Sequence, residues 1–310
     1  MHPYTCPIEK QVLSIVLLLN KDKSRMSDSP KHCLYIKDSV KGVMELPDNS
    51  LDLILSGPPY FNFIVYSQEQ ENLSTRNYRD FLVEISQLWT NIEPKLKKGG
   101  IIALWIHDVY KRNEDYFTLL PLHADLVSTF PPNVELRNIV IWDRYLKRIN
   151  PPPQVDSEIT RFQYILLFSK SKTRYEKNLN NFFWVPFWYY KTCQKFLGSK
   201  LLYRLIFQIG KIPFIYKMFN SLFFKTEKIL VRDEYAAKEY TTVCPEEVVQ
   251  MIMEKFSQKG DTVCDPFLGS GTTMKVADKL GRHCIGFEIN KDAKEIILKK
   301  INTRDVKIVE

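Results

Sequence analysis

The sequence lacks the cysteine spacing of a metal site or of a disulfide framework. None of its cysteines forms a Cys-x-x-Cys pair, and they are scattered along the chain: Cys6, Cys33, Cys193, Cys244, Cys264 and Cys284. Structural zinc sites and disulfide-rich domains both need closely spaced cysteines. We therefore expect no metal ligands, no disulfides and a reducing, cytoplasmic environment.

A membrane-spanning run is also lacking near the start of the chain. An uncharged stretch covers residues 11–20, which is about half of the length that a spanning helix needs. Lys21-Asp22-Lys23 follow it, where a secretory signal would have small residues for cleavage. Residues 1–30 are therefore expected to form an N-terminal extension, and no membrane partner is expected.

Positive charge is concentrated in one segment. The 310-residue chain is 45% hydrophobic and 26% charged, as in globular proteins, and its net charge is +8. Residues 172–232 hold 12 Lys and Arg against 2 Asp and Glu, a local charge of +10, and they hold 16 of the 40 aromatic residues. The rest of the chain has a net charge of −2. Such a segment suits a surface that binds phosphates and stacks bases, and a small helical module with solvated lysines is the alternative.

The apolar pattern alternates between strand-like and helix-like segments. Strands are predicted at residues 34–36, 51–55, 101–106, 134–142, 162–168, 262–264 and 283–287. Helices are predicted over residues 40–46, 78–97 and 245–256, and another begins near Thr272. Gly99-Gly100 are expected to end the second helix, and residues 143–153 to form a loop. The alternation predicts a layered α/β sheet.

Two consecutive prolines end the strand predicted at residues 51–55. The turn reads Ser56-Gly57-Pro58-Pro59-Tyr60. Neither proline has a backbone N–H, so hydrogen bonding along the strand stops there and carbonyls of the turn are free to accept. A free carbonyl beside the ring of Tyr60 suits a planar amine substrate, although a plain surface turn explains the same residues.

A glycine-rich turn follows the strand predicted at residues 262–264. It reads Asp265-Pro266-Phe267-Leu268-Gly269-Ser270-Gly271-Thr272-Thr273 and leads into a helix. Glycines between a strand and a helix let a ligand approach closely, and the helix N-terminus offers free N–H groups. A phosphate-binding P-loop is excluded because no Gly-Lys-Ser/Thr follows. Asp265 favours a ligand that carries an amine, and Glu288 suits the hydroxyls of a ribose, with a solvated strand end as the alternative.

Together, these residues resemble the DNA amino-methyltransferases that use S-adenosylmethionine. The similarity rests on residues 265–273 with Glu288, and on Gly57-Pro58-Pro59-Tyr60, and it covers residues 34–168 and 243–301. The catalytic motif precedes the cofactor motif, as in the family's β group. The resemblance implies a Rossmann-like methyltransferase sheet with helices on both faces and an inserted basic, aromatic-rich module.

The resemblance also divides the chain and assigns a site. The implied units are an extension at residues 1–30, a catalytic half at 31–171, a target-recognition insert at 172–240 and a cofactor-binding half at 241–310. The implied catalytic residues are Ser56, Gly57, Pro58, Pro59 and Tyr60. The implied residues that bind S-adenosylmethionine are Asp38, Asp265, Phe267, Gly269, Ser270, Gly271, Thr272 and Glu288. Asp38 would lie near the adenine of the cofactor, and a helix-capping role explains it equally well.

The chain departs from the family's motif at Gly57. The exocyclic amine of a base is a poor nucleophile because its lone pair is delocalised into the ring, so acceptors for its hydrogens must localise that pair. By resemblance, the Pro58 carbonyl is one acceptor, and an Asp, Asn or Ser side chain directly before Pro58 is the other. Because Gly57 has no such side chain, either Ser56 or a water molecule is the second acceptor, or activity is weakened. We expect Gly57→Asp or Gly57→Ser to keep or raise activity, and Tyr60 to stack on the flipped base.

The function implied by the resemblance is site-specific methylation of double-stranded DNA. Cytosine N4 is favoured over adenine N6 as the target, because the family's serine form is commoner there and glycine is nearer to serine than to aspartate. A cognate restriction endonuclease is an implied partner, and the protein is expected to be a monomer or a dimer. An RNA methyltransferase, or a catalytically impaired nucleic-acid-binding protein on the same fold, remains open.

Overall fold

The structure, a computed structural model, describes residues 31–59, 73–112, 117–143, 162–180, 244–301 and 305–310. Tyr60, the predicted N-terminal extension and most of the predicted target-recognition insert lie outside these residues. In the described ranges, no helix is long and apolar enough to cross a membrane, and no group of three or more His, Cys, Asp or Glu could hold a metal ion. The described cysteines form no disulfide with one another: Cys33, Cys244, Cys264 and Cys284.

Strands and helices alternate in the first and last parts of the described chain, and several strands follow one another between these parts. The strands are β1 His32–Ile36, β2 Leu51–Ser56, β3 Leu96–Ile106, β4 Val109–Arg112, β5 Phe117–Leu120, β6 Glu135–Asp143, β7 Phe162–Ser169, β8 Thr262–Asp265, β9 His283–Glu288 and β10 Val306–Val309. The helices are α1 Ser39–Gly42, α2 Tyr78–Ile92, α3 Leu122–Val127, α4 Glu176–Asn180, α5 Glu246–Phe256, α6 Thr272–Leu280 and α7 Ala293–Lys300. The predicted strands are all present, and all except β3 lie within about two residues of their predicted ends. The β4–β5 hairpin, α3, α7 and β10 were not predicted.

Eight strands form one sheet in the order β10-β1-β9-β8-β2-β3-β7-β6. Neighbouring strands are parallel, except that β7 runs antiparallel to both β3 and β6. Successive residues of a strand point to opposite faces. In β1, Leu34 and Ile36 belong to the core shared with α5, α6 and α7, whereas Cys33 and Tyr35 belong to the core shared with α2. The predicted mixed α/β sheet with helices on both faces is confirmed.

Helix α2 is shorter than its apolar spacing predicts. The side chain of Asn77 caps its start by accepting a hydrogen bond from the N–H of Asp80 at 3.0 Å. Its buried residues follow the helical spacing of the sequence: Phe81, Ile85, Leu88, Trp89 and Ile92. A 3₁₀ turn at Glu93–Lys95 follows, and β3 begins directly after it. The predicted helix end at residue 97 is therefore wrong.

Gly99 lies inside β3 and does not end a helix. Leu51 and Leu53 are two positions apart on β2, while their partners on β3, Leu96 and Ile101, are five positions apart. The strand therefore bulges, and Gly99 takes a φ of 76° that a bulge permits and that favours glycine. Pairing with β2, which the local apolar spacing does not reveal, sets the start of β3.

The chain leaves β2 and β8 in opposite directions across the sheet. From β2 it passes through α2 to β3, whereas from β8 it passes through α6 to β9 on the other side. β2 and β8 are neighbours, so the strand order reverses between them. Ligands of open α/β sheets bind in the crevice at the carboxyl ends of the strands where the order reverses. The proline turn and the glycine-rich loop are the continuations of these two strands.

Candidate active site at the reversal of strand order

A buried hydrogen bond joins the two predicted site segments. The hydroxyl of Ser56, which ends β2, donates to Oδ1 of Asp265, which ends β8, over 2.5 Å. The two residues are 209 positions apart in the chain, and only 0% and 1% of their surfaces are exposed. The bond fixes the proline turn beside the glycine-rich loop.

Asp265 also organises the loop that follows it. Its Oδ1 accepts from the backbone N–H of Phe267 at 3.0 Å, and its Oδ2 accepts from the hydroxyl of Thr273 at 2.6 Å. Burial raises the pKa of the Asp265 carboxyl to about 6, although the three hydrogen bonds favour the charged form. That this carboxyl also lies near the amine of a ligand stays a prediction.

The proline turn carries β2 into the crevice. Pro58 is buried, whereas Gly57 and Pro59 are partly exposed. A Cβ atom added to Gly57 would lie 2.0 Å from Nε1 of Trp105, far inside van der Waals contact. The expectation that Gly57→Asp or Gly57→Ser keeps activity does not fit this geometry, because Trp105 occupies the volume that the new side chain needs.

Ser56 is fully buried and is therefore a poor replacement for the acceptor missing at Gly57. Its hydroxyl donates to Asp265 and keeps its oxygen lone pairs for accepting, but none of its surface is exposed to a substrate. Of the three alternatives for this acceptor, the arrangement disfavours the one in which Ser56 reaches the substrate amine. A water molecule in this place, or a weakened activity, remains.

The loop between β8 and α6 depends on two left-handed glycines. Gly269 has a φ of 55°, and Gly271, which precedes the first residue of α6, has a φ of 86°. Glycine adopts this region at no steric cost. The nearest atom to a Cβ added at Gly269 would be the carbonyl oxygen of Phe267 at 4.0 Å. The loop is therefore open at Gly269, where a ligand can approach the backbone.

A lysine from α7 brings positive charge to this loop. Ser270 and Thr272 are both buried, with their hydroxyl oxygens 3.5 Å apart. Lys300 Nζ donates to Oγ of Ser270 at 3.0 Å. Together with the N-terminus of α6, this charge favours an anionic group at the loop.

Glu288 lies at the end of β9, beside the glycine-rich loop. Its Oε1 accepts from the N–H of Asn290 at 2.8 Å, and the N–H of Gly269 also stabilises the charged carboxylate. Burial outweighs these bonds and raises the pKa of Glu288 to about 7. The N–H of Leu268 donates to the carbonyl of Phe287 at 2.8 Å, which ties the loop to β9. A ligand that brings further donors, as the hydroxyls of a ribose do, would favour the charged form of Glu288.

Asp38 caps helix α1. Its carboxylate accepts from the N–H groups of Val40 at 3.1 Å and Lys41 at 3.4 Å. This is the capping role that the sequence left open. Asp38 also follows β1, in which Ile36 pairs with Glu288 of β9. Its placement near the adenine of a cofactor stays a prediction.

The family model described as DNA methylase, of the N6/N4 type, matches residues 51–299. This range is most of the chain and holds both the proline turn and the glycine-rich loop. The chain belongs to the N6/N4 DNA methylase family. The resemblance carried by the two motifs is thereby confirmed, and the protein is a DNA methyltransferase of this group.

Curated relatives cover nearly the whole chain at low identity. The Type II methyltransferase M.MjaI of Methanocaldococcus jannaschii is 25% identical over 308 residues, covering 89% of this chain and 93% of the relative. The Type II methyltransferase M.HinfI of Haemophilus influenzae is 25% identical over 277 residues, covering 87% of this chain and 67% of the relative.

Solved structures share the fold. TTHA0409 of Thermus thermophilus, solved with S-adenosyl-L-methionine, has a TM-score of 0.56 at 20% identity and covers 90% of this chain and 100% of its own. The PvuII DNA methyltransferase, described as cytosine-N4-specific, has a TM-score of 0.56 at 16% identity and covers 90% and 95%.

Three residues of the site were not singled out from the sequence. Thr273 lies in the predicted loop without a predicted role, Lys300 comes from a helix that the sequence pattern does not indicate, and the pattern indicates Trp105 only as part of a strand. The pairing of Ser56 with Leu104 makes Gly57 and Trp105 the next residues on adjacent strands. A glycine opposite a tryptophan is a signal, but only after the strands have been paired.

Proposed function

We propose that the protein transfers a methyl group from S-adenosylmethionine to an exocyclic amine of a base in double-stranded DNA. The hydrogen bond between Ser56 and Asp265 carries this proposal. Transfer needs the methyl donor and the amine held in contact. The bond joins the turn that suits an amine to the loop that suits a charged cofactor, in the crevice where ligands of such sheets bind.

The residues of the loop fit S-adenosylmethionine. The open backbone at Gly269, the N-terminus of α6 and Lys300 suit its carboxylate. Glu288 suits its ribose hydroxyls. TTHA0409, which shares the fold, was solved with this molecule. When bound, S-adenosylmethionine supplies an electrophilic methyl group on a sulfonium.

The proline turn binds and orients the target amine. The carbonyl of Pro58 accepts one of the amine hydrogens, so that the nitrogen lone pair is less delocalised into the ring. Tyr60, which lies outside the described residues, stacks on the base. The base must leave the duplex to reach this crevice, because a stacked and paired amine is not accessible.

Target recognition is assigned to residues 172–240. Their local positive charge and aromatic residues suit phosphate contacts and base stacking. The relatives M.MjaI and M.HinfI are named Type II methyltransferases, which supports a cognate restriction endonuclease as the partner of this chain. A cytoplasmic location follows from that role.

Labelled methyl transfer tests the proposal. The full chain is incubated with S-adenosylmethionine labelled in its methyl group and with unmethylated duplex DNA, single-stranded DNA or RNA. The products are digested to nucleosides for mass spectrometry. We expect label in duplex DNA, as N4-methylcytosine or N6-methyladenine. Label in RNA alone would favour an RNA methyltransferase, and cofactor binding by calorimetry without any transfer would favour a catalytically impaired binding protein.

A further inference from the structure

The indole of Trp105 fills the place of the side chain that Gly57 lacks. The sheet register pairs Ser56 with Leu104, so the residues that follow them lie side by side at the carboxyl ends of β2 and β3. A Cβ on Gly57 would lie 2.0 Å from Nε1, 2.5 Å from Cε2 and 2.7 Å from Cδ1 of Trp105. These three atoms form the nitrogen-bearing edge of the indole. That edge stands directly beside the backbone that precedes Pro58.

Trp105 is held in this place by the core. Residues two apart on a strand share a face, so Trp105 lies on the face of Ile101 and Ala103, and Gly57 on the face of Leu53 and Leu55. Trp105 packs against the core cluster that contains these four residues, and it is partly exposed. One side of the indole is therefore anchored, while its nitrogen edge reaches the proline turn.

An indole N–H donates hydrogen bonds and accepts none. Trp105 therefore cannot accept a hydrogen bond from the target amine, as an Asp, Asn or Ser at position 57 would. On cytosine and on adenine, the atom next to the amine-bearing carbon is an unprotonated ring nitrogen, which accepts. On thymine and guanine, the corresponding ring nitrogen carries a hydrogen and would oppose the indole N–H.

We propose that Trp105 is a positioning residue that reads the ring nitrogen beside the target amine. This inference rests on the proposed function, because it assumes that the base enters beside Pro58. The Pro58 carbonyl and the Trp105 N–H then form an acceptor and donor pair that matches the amine and ring nitrogen of cytosine or adenine. A hydrogen bond from the Trp105 N–H to the ring nitrogen draws some electron density from the amine. It therefore orients and selects the base, and it does not activate the nucleophile.

Trp105→Phe tests the donor while keeping most of the ring volume. We expect kcat/KM for DNA to fall roughly three- to tenfold, as for one lost hydrogen bond, mainly through KM, with cofactor affinity by calorimetry unchanged. Trp89→Phe is the matched control. Trp89 is buried on the opposite face of the sheet, so this substitution also removes an indole N–H, but at a position away from the proline turn. It should leave KM unchanged.

A base analogue separates reading of the ring nitrogen from packing. The duplex carries 3-deazacytosine or 1-deazaadenine, whichever matches the methylated base, in place of the target. The analogue also weakens the base pair, equally for both proteins, so the comparison is between their losses in kcat/KM. The unsubstituted protein should lose roughly three- to tenfold more than Trp105→Phe does, because only the unsubstituted protein has the bond to the ring nitrogen. Equal losses of kcat/KM in both proteins, or an unchanged KM for Trp105→Phe, would overturn the inference. Transfer by the unsubstituted protein would still support the proposed function. No transfer by the unsubstituted protein would overturn both.

Discussion

The neighbouring strands β2 and β8 both continue into glycine, for opposite reasons. Gly57 lies where a Cβ would be 2.0 Å from Trp105, and its φ is outside the left-handed region. Gly269 has open space around the missing Cβ, but its φ is 55°. A neighbouring side chain therefore imposes glycine at the first position, and the backbone itself imposes it at the second. A change in that neighbour can relieve the first requirement, whereas no neighbour can relieve the second.

Gly57→Asp gives the largest effect and tests the first half of this comparison. The carboxylate must displace the indole of Trp105, and a misplacement of about 1 Å in an active site costs on the order of 100-fold in rate. We expect a loss of that size in labelled methyl transfer. In a chain that already carries Trp105→Ala, the same substitution should raise activity, because the carboxylate enters the vacated volume and accepts an amine hydrogen. Full activity of Gly57→Asp by itself would show that the indole moves freely and would break the comparison.

Asp265→Asn tests the bond that joins the two strand ends. The pKa of Asp265 is raised to about 6, so the folded protein binds this proton more tightly than the unfolded chain does. The resulting stabilisation is fully present below about pH 4, the ordinary pKa of Asp, and is lost as pH rises through about 6. Asparagine cannot ionise, and the hydroxyl of Thr273 can turn to accept from its amide.

The check is urea unfolding of both proteins at a series of pH values between 4 and 7. Between pH 4 and pH 7, we expect the free energy of unfolding to fall by about 1–3 kcal/mol less in Asp265→Asn than in the unsubstituted protein. Parallel curves for the two proteins would show that the carboxyl is already charged at pH 4 in the folded protein.

The sequence predicts what local spacing determines. The apolar run at residues 51–55 appears as β2, and the glycines of the loop indicate the turn into α6. The end of α2 and the start of β3 could not be predicted, because pairing of Leu51 with Leu96 sets them. A residue's local helical spacing carries no information about such a partner.

The site follows the same division. The two motifs identify both halves of the crevice, since each lies on a short continuous stretch. The bond between Ser56 and Asp265 joins residues 209 positions apart, and the overlap of Gly57 with Trp105 exists only across two paired strands. For this reason the sequence suggests that an acidic side chain fits at position 57, whereas the packing of Trp105 against Gly57 opposes it.

Gly269→Ala tests the second half of the comparison. A left-handed φ costs a residue with a Cβ about 1–2 kcal/mol, so we expect about that loss of stability and a loss of affinity for S-adenosylmethionine by calorimetry. Gly260→Ala is the matched control, because Gly260 has a φ of 81° and no atom within 4 Å of an added Cβ, in the turn before β8. It should lose similar stability and keep its affinity. Unchanged affinity in both variants would mean that the loop adjusts to a side chain at Gly269.

A third strand end extends the comparison with the smallest expected effect. Asp38 follows β1 and caps α1 through Val40 and Lys41. Asp38→Ala should cost about 1 kcal/mol of stability in urea unfolding, and Asp38→Asn should cost little, because asparagine caps as well as aspartate. If the carboxylate serves the chain alone, Asp38→Asn also keeps its affinity for S-adenosylmethionine. A loss of affinity in Asp38→Asn at unchanged stability would instead assign Asp38 to the ligand, and the identity of the residue after β1 would then be set by the cofactor.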